Sequence, residues 1–288
     1  MKPILALAIF STAVVSTASS AVVLDILFVA GTSTGTNDAG YQTFATTGQF
    51  AGSTWTARGS GTTGNETIGG DLDRVAVFGG TSQSLKSYVE SFDLVIVSVP
   101  VSSTNFADGA NGADWASITV PILFNSALAG RASGGRVGLT SGDNVVSGYA
   151  FSSSDETTKV SNSALGNAIF AGVSSTTNLY ALATGDIVTT ASTAGTGEVI
   201  STLTNGTTTA YSIVYWPSGS TDANGRTLAD NRAVFALKGG FSDLTADGGI
   251  VLGNVINQLA IPEPSAALLG GIGSFLLLRR RRASILPQ

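Results

Sequence analysis

Two acidic clusters and one serine are the residues of this chain best placed to do chemistry. Asn65 and Glu66, in a glycine-rich stretch from Gly59 to Gly70, are followed closely by Asp71 and Asp73. Asp243 and Asp247 follow Gly239-Gly240. Carboxylates and carbonyls in loops suit Ca²⁺, although neither cluster has the spacing of an EF-hand or a calcium-binding repeat. Solvated loop carboxylates account for the first. A helix start accounts for Asp247, because negative charge is favoured in a first turn. Ser98 stands near the end of an apolar run, where open α/β sheets bind ligands. Thr32 to Thr36 stand in the same place after an earlier run. The stretch GTSTGT could hold a small anion on backbone N–H groups, but it lacks the lysine of a phosphate loop and the spacing of a dinucleotide fingerprint. A polar loop at the solvent edge explains it more simply.

The chain has no histidine and no cysteine. That removes Ser-His-Asp and Cys-His nucleophile systems and any imidazole or thiolate metal centre. Carboxylate chemistry, Ser-Lys chemistry and oxygen-ligated Ca²⁺ remain. A glycosidase needs two carboxylates brought together by the fold, and the sequence does not choose the pair. Trp55, Trp115 and Trp216 could stack on sugars or anchor a core. No catalytic residue, metal ligand or cofactor is assigned.

Charge narrows the partners. Five of the 14 Lys and Arg (Lys2, Arg279 to Arg282) and one of the 19 Asp and Glu (Glu263) lie at the ends. That leaves 9 basic against 18 acidic residues between Val22 and Ala260, a net of −9. An acidic body argues against nucleic acid, which needs clustered positive charge. Charged residues are only 11% of the chain, so hydroxyls and amides must solvate much of the surface, as suits an extracellular protein.

The elements that must position these residues follow from periodicity. Val22 to Ala30 (VVLDILFVA) reads as a buried strand. Asn37-Asp38 can cap a short helix presenting Tyr41, Phe44 and Ala45, and Ser53 to Arg58 reads as the next strand. Leu85, Tyr88, Val89 and Phe92 fall at helical spacing, with Ser82 or Ser84 as cap. Leu94 to Val101, Thr119 to Phe124 and Arg136 to Thr140 read as strands. Residues 141–209 have another texture: Ala168 to Val173, Leu179 to Ala183 and Glu198 to Leu203 alternate with polar residues, as short strands would. This stretch is either a β-rich insertion or a continuation of the sheet by antiparallel edge strands. Ala210 to Trp216 and Arg232 to Lys238 are strands. Thr245 caps a last helix with Leu252, Val255, Ile256 and Leu259 on one face. The expected fold is α/β: a mainly parallel sheet covered on both faces, with a β-rich middle section.

The ends read as processing segments. Lys2, the apolar Ile4 to Val15, and Ser19 and Ala21 have the order of a secretory signal, which sets residues 1–21 as signal, with cleavage after Ala21. Residues 22–260 form the α/β extracellular domain, large enough to bury a core. In residues 261–288, Pro262-Glu263-Pro264 precedes an apolar run from Ser265 to Leu278 and four arginines, Arg279, Arg280, Arg281 and Arg282. The prolines keep the motif extended and off the helix, and arginines resist translocation. The run would span about 21 Å as a helix, a short transmembrane helix and a weakly held anchor.

This tail resembles the PEP-CTERM sorting signal of bacteria that carry an exosortase. The resemblance covers only the tail, and Ser284 to Gln288 extend beyond the usual pattern. It implies cleavage near Pro262, Glu263 and Pro264, with signal peptidase and exosortase as processing partners. It also implies a membrane-anchored intermediate, followed by cell-surface or extracellular-matrix residence, with exopolysaccharide as a candidate partner there. The body is similar, more faintly, to flavodoxin-like domains of the class I glutamine amidotransferase-like superfamily, ThuA-like secreted domains included. ILFVAG (Ile26 to Gly31), FDLVIVSVPV (Phe92 to Val101), VPILFN (Val120 to Asn125) and Asn231 to Leu259 carry that likeness. Amidotransferase chemistry needs a Cys and a His, so it is not implied. The expectation is an exported, non-catalytic surface or matrix protein. The alternatives are a secreted carbohydrate-active hydrolase or a small-ligand-binding module.

Overall fold

A computed structural model describes residues 22–31, 38–99, 101–106, 113–126, 137–141, 145–146, 155–181, 187–189, 193–205, 208–237 and 240–260. The signal, Ala21, the whole sorting tail and Thr32 to Thr36 lie outside these residues. Among the described residues no helix is long and apolar enough to cross a membrane.

The chain is a mixed α/β protein built on one large sheet. Six strands lie side by side in parallel: β1 (Asp25–Ala30), β2 (Thr54–Ser60), β3 (Thr67–Ile68), β6 (Leu94–Val97), β7 (Ile122–Phe124) and β14 (Arg232–Phe235). Their spatial order is β3-β2-β1-β6-β7-β14. From β1 the chain moves outward to β2, then returns to the other side of β1 as β6. The winding therefore reverses between β1 and β6, and open α/β sheets bind ligands beyond the carboxyl ends at such a point.

Alternation explains why these segments are buried on both faces. Ile26, Phe28, Leu94, Ile96, Leu123, Ala233 and Phe235 belong to one core. Leu27, Val29, Val95, Val97, Ile122, Phe124 and Val234 belong to the other. Successive side chains point to opposite faces of a strand, so both parities must be apolar when both faces are covered. Helices α1 (Ala39–Thr46), α4 (Ala164–Ile169) and α5 (Ala246–Ala260) contribute to the first core. The second takes α2 (Leu85–Val89), α3 (Ala113–Ala116) and a hairpin of β4 (Val75–Phe78) and β5 (Thr81–Ser84).

Beyond β14 the sheet turns antiparallel. β13 (Thr208–Trp216) pairs with β14, followed outward by β12 (Glu198–Asn205), β9 (Thr157–Lys159) and β10 (Thr176–Thr177). β11 (Ile187–Thr189) also pairs with β13 and carries β8 (Val145–Val146). The β-rich middle thus continues the sheet as its antiparallel flank. Serine hydroxyls fasten it: Ser201 and Ser212, both buried, share a hydrogen bond of 2.8 Å.

Local signals set most helix starts. Asp38 accepts from Tyr41 N at 3.0 Å, Ser84 from Ser87 N at 3.1 Å, and Thr245 from Gly248 N at 3.1 Å. Such bonds satisfy N–H groups that have no partner within the helix. Four segments depart from the periodic reading; in the first, Leu179 to Ala181 form no strand but a single bridge from Tyr180 to Leu244. The helix at Leu85 ends at Val89 before Phe92, because the chain must turn for Asp93 N to reach Asp25 O at 2.8 Å. Val137 to Thr140 form no strand: Gly138 has φ 79°, and its carbonyl accepts from Ala223 N at 3.0 Å. Ala168 to Val173 hold the end of α4 and a turn, since Ser163 caps a helix there through Gly166 N at 2.9 Å.

The hairpin at Val75 to Ser84 was legible but is absent from the periodic reading above. Gly79 and Gly80 have φ of 57° and 83°, the twist that a two-residue hairpin turn requires.

Candidate functional site

The carboxyl ends of β1, β6, β7 and β14 meet the starts of α1 and α5, and a group of polar residues converges there. Asp38 ties the start of α1 to the segment between β14 and α5. Its Oδ1 caps α1, and its Oδ2 accepts from Phe241 N at 3.0 Å. Residue 240 must be glycine, because a Cβ there would lie 2.3 Å from Asp38 Oδ2. Asp243, which is buried, accepts from Gly240 N at 3.3 Å.

Within this frame, Tyr41 and Asn125 are each 1% exposed. The Tyr41 ring packs 5.7 Å from Phe28, 5.9 Å from Trp55 and 5.9 Å from Phe241. Its hydroxyl has no hydrogen-bond partner, and neither has Asn125 Oδ1. Burial pushes the Tyr41 phenol far above its ordinary value; the nearby Asn125 amide partly opposes the shift, and the Asp38 charge adds to it. Tyr180, in the same core, has an equally buried hydroxyl without a partner and a phenol raised by burial alone. These groups are neutral: a phenol can donate or accept, and an amide oxygen accepts. They could hold a polar, uncharged group or a water. They are not a nucleophile and base.

The predicted site residues fall as follows. Ser98 lies at this edge, 7% exposed, and its backbone closes the end of β6 through Ser98 N to Val29 O at 3.0 Å. Asp247 is apart from the Asp38–Asp243 group and accepts from Thr177 Oγ1. Asn65, Glu66, Asp71 and Asp73 lie elsewhere, in a loop held by its own side chains. Glu66 pairs with Arg58 at 2.7 Å and accepts from Gly79 N at 2.6 Å. Asn65 accepts from Val77 N, and Asp71 from Asp73 N, each at 2.9 Å. Arg74 donates to the carbonyls of Gly64, Thr67 and Gly69, so its guanidinium supplies the positive charge a cation would have brought. Among the described residues no cluster of three or more acidic side chains is arranged for a metal ion.

Trp115 and Trp216 are buried, Trp216 donating to Ala194 O at 2.7 Å. Trp55 stacks on Phe28 at 4.7 Å. All three serve the core rather than a sugar platform. A lysine and a serine do meet: Lys86 Nζ lies 3.0 Å from Ser117 Oγ. Lys86 also pairs with Glu90 at 3.8 Å and reaches Ser117 O at 3.5 Å. Lys86 thereby tethers the end of α3 to α2.

The amino ends of the same strands are built differently. Residues just before β1, β6, β7 and β14 line a groove of about 680 Å³ with the end of α5. Beneath it Arg232, fully buried, donates to the carbonyls of Ile118 (2.7 Å), Asn231 (2.8 Å), Val120 (3.0 Å) and Trp115 (3.4 Å). Burial pulls its pKa down to about 10, against the opposing charges of Asp230 and Glu90.

Tyr41, Asn125 and Tyr180 are absent from the sequence-level candidates. Asn125 was within reach of the argument used for Ser98, as a polar residue closing an apolar strand.

No family model matches the chain, and neither a curated protein nor a solved structure does.

Proposed function

We propose that this chain is exported, held in the membrane by its C-terminal tail, and released by an exosortase-type cleavage. Its flavodoxin-like domain then serves as a non-catalytic surface or matrix protein. The order Pro262-Glu263-Pro264, apolar run, four arginines carries the reading. α5 ends at Ala260, so a cut at the motif would remove nothing of the described fold. The absence of His and Cys, and carboxylates engaged with backbone N–H groups, favour a binding or structural role over hydrolysis. Intact-mass analysis of envelope and medium fractions tests it. The expected result is a medium form lacking residues 1–21 and the tail beyond the motif, alongside an envelope form that retains the tail. A chain ending at Ala260 that reaches the medium in equal amount and with the same processing would overturn it.

Tyr41 Oη and Asn125 Oδ1 favour a second reading, a small-ligand module whose ligand brings hydroxyls. Calorimetric titration of neutral oligosaccharides against wild type and Asn125→Leu tests it. Heat lost in the variant is expected, and equal heats or none in either protein would sink it.

A further inference from the structure

Both ends of the described domain emerge at one edge of the sheet. Val22, Val23 and Leu24 line the amino-edge groove together with Leu259 and Ala260. Each end is fastened. Val22 N donates to Gln49 O at 2.9 Å, and Leu24 N to Ser53 Oγ at 2.9 Å. Leu259 is 1% exposed, and its carbonyl accepts from Asn231 Nδ2 at 3.3 Å. The fold therefore does not loosen before the tail begins.

Only Ile261 to Pro264 separate α5 from the apolar run. Four extended residues reach about 14 Å at most, and the headgroup layer takes up about 5–8 Å of that. With the run in the bilayer, the groove must sit at the membrane surface. An enzyme that cuts within those four residues has no room to stand between the domain and the bilayer, so it must touch the domain at this edge. The groove offers a matching surface: Val23 is 62% exposed, Val120 and Pro121 add apolar area, and Asp93 and Asp230 stand on its lining with no Lys or Arg among them. A concave, acidic surface suits basic and apolar side chains of a protein better than the anionic headgroups of a flat bilayer.

We propose that this groove is the surface on which the domain docks against the membrane-embedded peptidase that removes its tail. The proposal rests on the sorting reading above. It is tested on the full chain in its host by following release into the medium after a pulse label. Val23→Arg and Ser218→Arg, both exposed and both on the groove lining, are expected to slow release about tenfold. Inserting 20 Gly/Ser residues between Ala260 and Ile261 adds on the order of 25 Å of slack and is expected to restore the wild-type rate in both. Wild-type release from both arginine variants overturns the proposal, as does slow release that the insertion leaves uncorrected.

A second arm does not depend on how well those variants fold. The chain has no cysteine, so Val23→Cys provides a unique thiol for a photocrosslinker, placed in a chain whose cleavage is blocked by Glu263→Ala. An adduct recognised by an antibody to the peptidase is expected; an adduct with lipid alone, or none, overturns docking. Replacing Pro262, Glu263 and Pro264 together by Ala separates the two ideas. If release is unchanged, the sorting reading fails. If release stops while the arginine variants run at the wild-type rate, the docking proposal alone fails.

Discussion

The two edges of the parallel strands solve opposite problems. At the amino edge, four carbonyls converge on one buried guanidinium, and both ends of the domain are fastened around a groove. At the carboxyl edge, carboxylates are committed to backbone N–H groups, while the Tyr41 hydroxyl and the Asn125 carbonyl are buried without partners. An unmade hydrogen bond in a protein interior costs free energy, so the carboxyl edge carries that cost at these two groups. At the amino edge most donors of the Arg232 guanidinium are spent on carbonyls, with its Nε buried and left over.

Removing the guanidinium should produce the largest effect. Arg232→Ala strips donors from four carbonyls and opens a cavity, so unfolding free energy should fall by about 4 kcal/mol in urea titration. A loss below about 1 kcal/mol would mean that the amino edge is held by something other than this cage.

Two glycines of α5 sharpen the contrast along one helix. A Cβ on Gly248 would meet Leu179 O at 2.1 Å, and one on Gly253 would meet the Gln49 Nε2 tip at 2.2 Å. Backbone cannot yield as a side-chain tip can. Gly248→Ala should cost about 3 kcal/mol, while Gly253→Ala should stay within about 1 kcal/mol of wild type, helped by helix propensity. Equal thermal shifts in the two variants would contradict this account.

At the carboxyl edge the expected sign reverses. Tyr41→Phe removes a hydroxyl that has no partner, so stability should hold or rise by about 1 kcal/mol at neutral pH. A fall of 2 kcal/mol or so would instead mean that the hydroxyl is engaged, by ordered water or ligand. The pH profile gives an independent check. The folded phenol titrates above its unfolded value near 10. The stability it contributes is therefore complete below pH 10 and is lost as pH rises beyond it. Tyr41→Phe should flatten that alkaline decline in circular dichroism melts, and a parallel decline would refute the burial argument.

The smallest effect belongs to Asp230, which burial raises above its ordinary value against the opposing Asn231 N–H and Arg232 charge. A raised folded value means its contribution is complete in acid and lost as pH climbs through that value. Asp230→Asn should therefore gain slightly over wild type at neutral pH, with the gain vanishing in acid. A gain that persists in acid would assign the effect to something other than ionisation.

Much of the scaffold was legible in the sequence because its causes are local. Buried strands announce themselves as apolar runs, and Asp38 and Thr245 cap helices by reaching only three residues along the chain. Where the reading failed, non-local contacts had taken over. Val137 and Gly138 give their carbonyls to residues of a distant loop, and the helix at Leu85 stops early so that Asp93 can pair with Asp25. The acidic loop looked like a cation site because its cation, the Arg74 guanidinium, could not be assigned to it without the fold.

By itself the sequence determined the exclusions and the ends: no imidazole, no thiol, an acidic body, and a motif, apolar run and arginine cluster in an order that needs no folding to recognise. Only tertiary structure decided which polar groups lack partners and which edge carries the domain's ends. Tyr41 and Asn125 come from separate crossovers, and Val22 and Ala260 stand at opposite ends of the domain. Such groups become neighbours through strand order, which long-range burial fixes and local periodicity leaves open.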